Sequence, residues 1–262
     1  MSVFNNSFGD LPKRLFSASL LLTLSLLCLY KGGWFSACFI GVCSGVLVWE
    51  ILSITNQNHE HHKMGYFLSI FFILMFPLIN LWTSYSTICI LFSALSSLVI
   101  KKNKVIRFLS IFYVGFSIFL FQKILFAEGE MNSFWIVIYI IAVVCAADIG
   151  GYFFGRVFGG PLLIKALSPR KTWSGVVGGW VLAIIIGSYL NFIFSSNLLF
   201  MIAISWALAI SSQIGDLIES SFKRYFSVKD SGSILPGHGG LLDRLDGFLL
   251  AVPVYYLINL LK

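Results

Sequence analysis

The sequence predicts an all-α, polytopic integral membrane protein of about nine transmembrane helices, with the N-terminus inside and the C-terminus outside. Three observations predict this. Mean hydropathy is +0.90, and 58% of the 262 residues are hydrophobic while 11% are charged, against about 25% charged in an average globular protein. Apolar runs recur from Leu15 to the C-terminus with only short breaks, and the basic residues fall mainly in alternate breaks. Backbone groups in lipid must pair within their own segment, which selects helices over open strands. A β-barrel would need alternating segments of about ten residues, and the sequence has none.

Spanning the hydrocarbon takes about 20 apolar residues per helix. The runs that qualify are 15–30, 34–54, 65–82, 84–100, 105–126, 134–154, 175–194, 198–217 and 245–261. The first follows Lys13-Arg14, as a signal peptide would. No small-residue cleavage site ends it, and Lys31-Gly32-Gly33 leads straight into the second run, so it is expected to span. Phe35-Ser36-Ala37-Cys38 loosely resembles a lipoprotein cleavage box but lies inside that second run. With nine helices and the N-terminus inside, 15 of the 18 Lys and Arg residues fall on the cytosolic side, leaving Lys31, Lys123 and Lys262 outside. That asymmetry sets the orientation. The formal charge of +7 is then inner-leaflet anchoring and anion binding. No soluble domain is present to bind nucleic acid.

Residues 1–262 read as a single membrane domain. Its first part, 1–130, is an apolar helical half, and its chemistry lies between 148 and 246, at the cytosolic face. The five cysteines, Cys28, Cys38, Cys43, Cys89 and Cys145, sit in apolar runs without a CxxC pair, as small buried hydrophobes do. His59, Glu60, His61 and His62 lack the spacing of a metal site and read as a solvated turn.

Ionisable residues are costly in a membrane and are functional candidates there by default. Glu50, Asp148, Asp216, Glu219, Asp243 and Asp246 lie in or beside apolar runs. In the expected topology all six fall near the cytosolic ends of four helices. A transporter would more often place such groups at mid-membrane, whereas a cytosol-edge cluster suits a reaction between a soluble and a lipid substrate.

The densest polar stretch is residues 220–246, whose 27 residues hold four Lys and Arg, three Asp and one His. Lys and Arg suit phosphates, and carboxylates suit Mg²⁺. The Pro236-Gly237-His238-Gly239-Gly240 run lets backbone approach a ligand. Asp216, Ser220 and Lys223 share one helix face by their i, i+4, i+7 spacing, and Asp243 and Asp246 share another. Two helix ends could thus offer three carboxylates to a divalent ion, unless Asp216 and Asp243 serve only to neutralise Lys223 and Arg244. A second stretch ends the sixth run with Asp148-Ile149-Gly150-Gly151 and opens the seventh with Ser168-Pro169-Arg170-Lys171-Thr172. Ser168 before Pro169 reads as a helix start, whose amides and basic residues would favour phosphate.

Residues 220–246 resemble, position for position, the signature of the phosphatidate cytidylyltransferases (CDP-diacylglycerol synthases). The matching pattern is Ser220-x-apolar-Lys223-Arg224, then Lys229-Asp230, then Pro236-Gly237-His238-Gly239-Gly240-apolar-x-Asp243-Arg244-apolar-Asp246. Residues 148–175 resemble the family's second segment, which usually has Ala, Lys and often Glu where this chain has Gly151, Arg170 and Ser174. The resemblance implies a bacterial inner-membrane enzyme that joins CTP and phosphatidate with release of pyrophosphate, its active site facing the cytosol. It implies Mg²⁺ held by Asp216, Asp243 and Asp246, a monovalent cation, K⁺, sharing the centre, and a homodimer. Lys223, Arg224, Lys229 and Arg244 would hold phosphates, His238 would donate to one, and Asp230 would orient Lys229 or a cation. Asp148, Ser168, Arg170, Lys171, Thr172 and Ser220 are expected to contact substrate.

Three other readings compete with it. A CTP-using kinase of lipid alcohols would not carry so full a Lys-Arg to Asp-Arg-Leu-Asp signature. A CDP-alcohol phosphotransferase would need Asp-Gly-x-x-Ala-Arg, but Asp246-Gly247 is followed by Phe248-Leu249-Leu250-Ala251. An ion-coupled transporter would move substrate across sealed vesicles and release no pyrophosphate from CTP.

Overall fold

The computed structural model describes residues 11–55, 67, 70–71, 103–126, 130–165, 167–194, 197–235 and 239–261. Its helices are α1 (Leu11–Lys31), α2 (Gly33–Thr55), α3 (Lys104–Leu125), α4 (Glu130–Phe158), α5 (Trp173–Tyr189), the short α6 (Asn191–Phe194), α7 (Leu198–Tyr225) and α8 (Leu242–Leu260). Strands β1 (Leu162–Ile164) and β2 (Ser168–Thr172) lie between α4 and α5. Among the described residues, five helices are long and apolar enough to cross a membrane: Gly33–Thr55, Lys104–Leu125, Ser133–Phe158, Trp173–Ile193 and Leu198–Tyr225. Helices α1 and α8 match the first and last expected spans in position. The expected spans 65–82 and 84–100 lie outside the described residues, apart from helical Phe67, Ile70 and Phe71. So does the His59–His62 cluster.

The chain forms two compact units, one of residues 1–119 with 228–244 and one of residues 120–227 with 245–262. In the first unit, Gly32 and Gly33 adopt left-handed φ of 62° and 50° and turn α1 into α2. Leu47, Val48 and Ile51 of α2 are buried, and so is Glu50. Arg107, in the first turn of α3, is also buried. Its Nε donates to Thr55 Oγ1 at 3.0 Å, which sets a cation against the C-terminal end of α2, the favourable end of the helix dipole.

In the second unit, α4, α5 and α7 pack along seams of small residues. A Cβ on Gly179 would lie 2.6 Å from the Ala147 carbonyl oxygen, and one on Gly175 would lie 2.5 Å from that of Gly151. Such contact between helix backbones is how membrane helices gain packing when lipid is as apolar as their side chains. The sequence left open whether these glycines serve packing or ligand approach; at Gly175 and Gly179 the structure shows packing. Gln213 of α7 bridges to α5, accepting from Trp180 Nε1 at 2.9 Å and donating to the Val176 carbonyl at 3.2 Å. Ile149, Phe153, Val177, Val181 and Ile185 point outward, as lipid-facing side chains do. The described cysteines are free thiols, and Cys38 and Cys145 are exposed rather than buried.

Two local expectations change. Ser168-Pro169 does not start a helix. Residues Ser168–Thr172 form β2, antiparallel to β1 with Leu162 opposite Thr172 and Ile164 opposite Ser168. A two-stranded ribbon has only edges, so a proline without an N–H is tolerated in it. The helix starts at Trp173, and Thr172 is its N-cap, accepting from Gly175 N at 3.2 Å. Helix α7 also runs to Tyr225, beyond the expected end at 217. Glu219 and Lys223, at i and i+4 in the favoured order, pair at 3.0 Å and carry the helix past its apolar stretch.

Candidate active site

The second unit gathers acids from the C-terminal halves of α4 and α7 and from the start of α8. Asp216 and Glu219 lie one turn apart on α7, and Asp246 lies in the second turn of α8. A glycine brings the two helices together: a Cβ on Gly215 would lie 2.5 Å from the Asp246 carbonyl oxygen. From the other side, a Cβ on Gly247 would lie 3.0 Å from Ser212 Cβ. As a result, one carboxylate oxygen from each of Asp216, Glu219 and Asp246 lies within 4.8 Å of the others. Asp148 of α4 is near enough to act electrostatically on Asp246, as is Lys171.

Two lysines enter the cluster. Lys171, the fourth residue of β2, bonds to Asp216 Oδ2. Lys223 pairs with Glu219 at 3.0 Å. Ser220 donates to Asp216 Oδ1 at 3.2 Å. The sequence had weighed Asp216 against Lys223 as partners, but Asp216 takes Lys171 and Glu219 takes Lys223. The hairpin of β1 and β2 delivers Lys171, and its open base is fastened by Ser174 Oγ, which donates to the Gly159 carbonyl. Gly159 is left-handed at φ 59° and ends α4.

These residues fit a divalent cation. Each carboxylate oxygen keeps more than one lone-pair direction, so an oxygen bonded to Lys or Ser can still ligate a metal. Four acids (Asp148, Asp216, Glu219 and Asp246) meet Lys171 and Lys223, a formal excess of two negative charges. Hard oxygen donors of this kind suit Mg²⁺.

The first unit holds the signature loop. Asp243 Oδ2 accepts from Ser231 N at 2.9 Å, Gly240 N at 2.9 Å and Ser231 Oγ at 3.1 Å. Leu235 N donates to the Gly239 carbonyl at 3.0 Å, closing the loop on either side of residues 236–238. Gly239 has φ of 83°, which only glycine adopts without strain.

The sequence matches the Cytidylyltransferase family over residues 12–261. The chain belongs to this family. It is 32% identical to the phosphatidate cytidylyltransferase of Staphylococcus aureus (strain COL) over 262 residues, covering 95% of this chain and 97% of that protein. It is 37% identical over 184 residues to the protein of the same name from Staphylococcus haemolyticus (strain JCSC1435), covering 67% and 68% of the two chains. With the Brucella suis biovar 1 (strain 1330) phosphatidate cytidylyltransferase it shares 42% over 150 residues, covering 57% and 55%.

In this cytidylyltransferase the residues expected from sequence fall into three groups. Asp148, Lys171, Asp216, Ser220, Lys223 and Asp246 are members or neighbours of the acid cluster. Ser168 and Arg170 sit on β2, and Thr172 caps α5. Lys229 and Asp230 lie in the first unit's loop, and Asp243 and Arg244 lie in the first turn of α8 in the same unit. Arg170, Arg224, Lys229, Asp230 and Arg244 are exposed. His238 lies outside the described residues. Sequence reasoning counted Glu50 and Glu219 among six candidate acids but gave neither a role in the site. Glu219 had an available signal, its i, i+4 lysine. Glu50 stood in a helix with no other charge and gave no hint of its partners.

Proposed function

We infer that the chain transfers the cytidylyl group of CTP to phosphatidate, giving CDP-diacylglycerol and pyrophosphate. The observation that carries this reading is the cluster of Asp216, Glu219 and Asp246 with Lys171 and Lys223 attached to it. The near full-length similarity to phosphatidate cytidylyltransferases supports it.

Phosphatidate already carries an anionic oxygen, so its attack on the α-phosphorus of CTP needs no general base. The new bond joins that oxygen to the α-phosphorus, and the bond from the α-phosphorus to the β-phosphate bridge breaks. Two anionic substrates must be brought together, so the work is positioning and charge neutralisation. Asp216, Glu219 and Asp246 would hold Mg²⁺, and we keep Asp243 as a ligand on sequence grounds. When bound, the ion supplies charge for the CTP phosphates and the leaving pyrophosphate. Lys171 and Lys223 hold their carboxylates in place and bring positive charge toward phosphate oxygens. Arg170, Arg224, Lys229 and Arg244 reach into solvent for the triphosphate and the lipid phosphate. K⁺ remains a proposed second cation.

The topology we propose has nine spans, with the N-terminus inside the plasma membrane. Helices α4 and α7 then run inward and α8 outward. The halves of α4 and α7 that carry Asp148, Asp216 and Glu219, and the start of α8 that carries Asp246, therefore lie toward the cytosol, where CTP is. The testing experiment uses purified protein, phosphatidate in detergent, Mg²⁺ and cytidine-labelled CTP. Label should enter the lipid with one pyrophosphate released per lipid labelled, and a chelator should stop both.

A further inference from the structure

Residues 1–130 read as carrying little chemistry, and within them Glu50 of α2, one of the six acids at the membrane edge, supplies some. Its side chain is fully buried. Oε1 accepts from Leu241 N at 2.8 Å, and Oε2 accepts from Leu242 N at 2.8 Å and from Ser231 Oγ at 3.0 Å. Two glycines leave it room. A Cβ on Gly240 would lie 2.7 Å from both carboxylate oxygens, and one on Gly232 would lie 3.0 Å from Oε1. Gly240 is not among the residues with positive φ. Its side chain is therefore excluded by its neighbours, Glu50 and the Ser231 hydroxyl, and not by backbone conformation.

We propose that Glu50 is a positioning residue for cytidylyl transfer: it seats the start of α8, which bears Asp243 and Arg244, and with it the preceding loop, which bears Lys229 and Asp230. Leu241 and Leu242 are where α8 begins, and a carboxylate is the favoured group against first-turn amides. Ser231 ties Glu50 to Asp243, since its hydroxyl lies within hydrogen-bond reach of both. One consequence follows for the substrate. The amides of Gly240, Leu241 and Leu242 all donate to protein carboxylates. Side chains of this loop, rather than those amides, are left to meet phosphate. The role in turnover rests on the function proposed above, whereas the seating does not.

Two variants test it. Glu50→Gln replaces one accepting oxygen with an NH₂ that faces a donor. Gly240→Ala leaves the carboxylate intact but pushes first on the Ser231 hydroxyl that bonds it and then on the carboxylate itself. Each is measured by amide hydrogen exchange and by steady-state kinetics in the lipid-labelling assay. Exchange over residues 228–244 should rise by about tenfold or more while α4 and α7 stay protected, a local opening and not a global one. Turnover should fall by about tenfold or more, with KM for CTP changing less than about threefold, since misplacement costs the transition state most. Unchanged loop exchange in both variants overturns the proposal, and so does exchange that rises across the whole protein. Loop opening with turnover within about twofold of the parent, or a loss carried by KM alone, overturns the positioning role. If the parent protein itself labels no lipid, the functional reading has failed, and the exchange result alone decides the seating.

Discussion

Gly215 and Asp246 meet backbone to backbone: a Cβ on Gly215 would lie 2.5 Å from the Asp246 carbonyl oxygen. This contact sets Asp246 of α8 beside Asp216 and Glu219 of α7. Gly215→Ala must push the helices apart at the cluster. A displacement near 1 Å at a catalytic centre costs about 100-fold, and we expect a loss of that order in cytidylyl transfer with helix content by circular dichroism retained. Gly151→Ala is the control, since its nearest neighbour would be the Gly175 carbonyl oxygen at 3.7 Å, an ordinary contact. Equal activity of the two variants would remove the role given to the Gly215 contact.

Asp246→Asn and Asp216→Asn each keep side-chain size and remove one charge from the proposed Mg²⁺ ligands. Removing one key electrostatic group costs about 100-fold or more, so turnover should fall by at least that much. The Mg²⁺ concentration for half activity should rise in Asp216→Asn. Asp243→Asn keeps an oxygen able to accept from Ser231 N and Gly240 N, so a loss there reports charge more than loop structure. Retention of over about a tenth of parent turnover at saturating Mg²⁺ excludes that residue as a ligand.

Lys223 has two readings, membrane anchor or site cation, and its pairing with Glu219 favours the second. A charge-assisted contact is worth roughly 1.5–3 kcal/mol, or about 10- to 150-fold. Lys223→Gln should reduce turnover or raise the CTP requirement within that range. Lys101→Gln, in a predicted cytosolic loop with no acid nearby, should do neither. Equal small effects would make Lys223 an anchor only.

Much of this was legible in the sequence, for physical reasons. Hydropathy reports the solvent directly, so the helical membrane class was plain. Neighbours on one helix are fixed by the 3.6-residue period, so Asp216 and Ser220 could be paired from spacing. Lys171 with Asp216, 45 residues apart, could not, because nothing local encodes which helices meet. The same holds for Glu50 and Leu242, 192 residues apart. Ser168-Pro169 misled because Ser before Pro signals a helix start and a strand edge alike. The end of α7 was set too early because hydropathy stops at Asp216, while the Glu219–Lys223 pair continues the helix.

Orientation is the next prediction. The 15 of 18 basic residues assigned to one side predict that a reporter fused after Lys262 works only when exported. Cytosolic activity of that fusion would remove the nine-span topology and the cytosolic placement of the acids that depends on it.

The most direct measurement follows which phosphorus of CTP moves. Purified protein is given phosphatidate, Mg²⁺ and CTP labelled at either the α- or the γ-phosphorus. Cytidylyl transfer predicts that α-label enters the lipid together with cytidine and that γ-label leaves in pyrophosphate. Entry of γ-label into lipid, or CTP left uncleaved while substrate crosses sealed vesicles, would contradict the account.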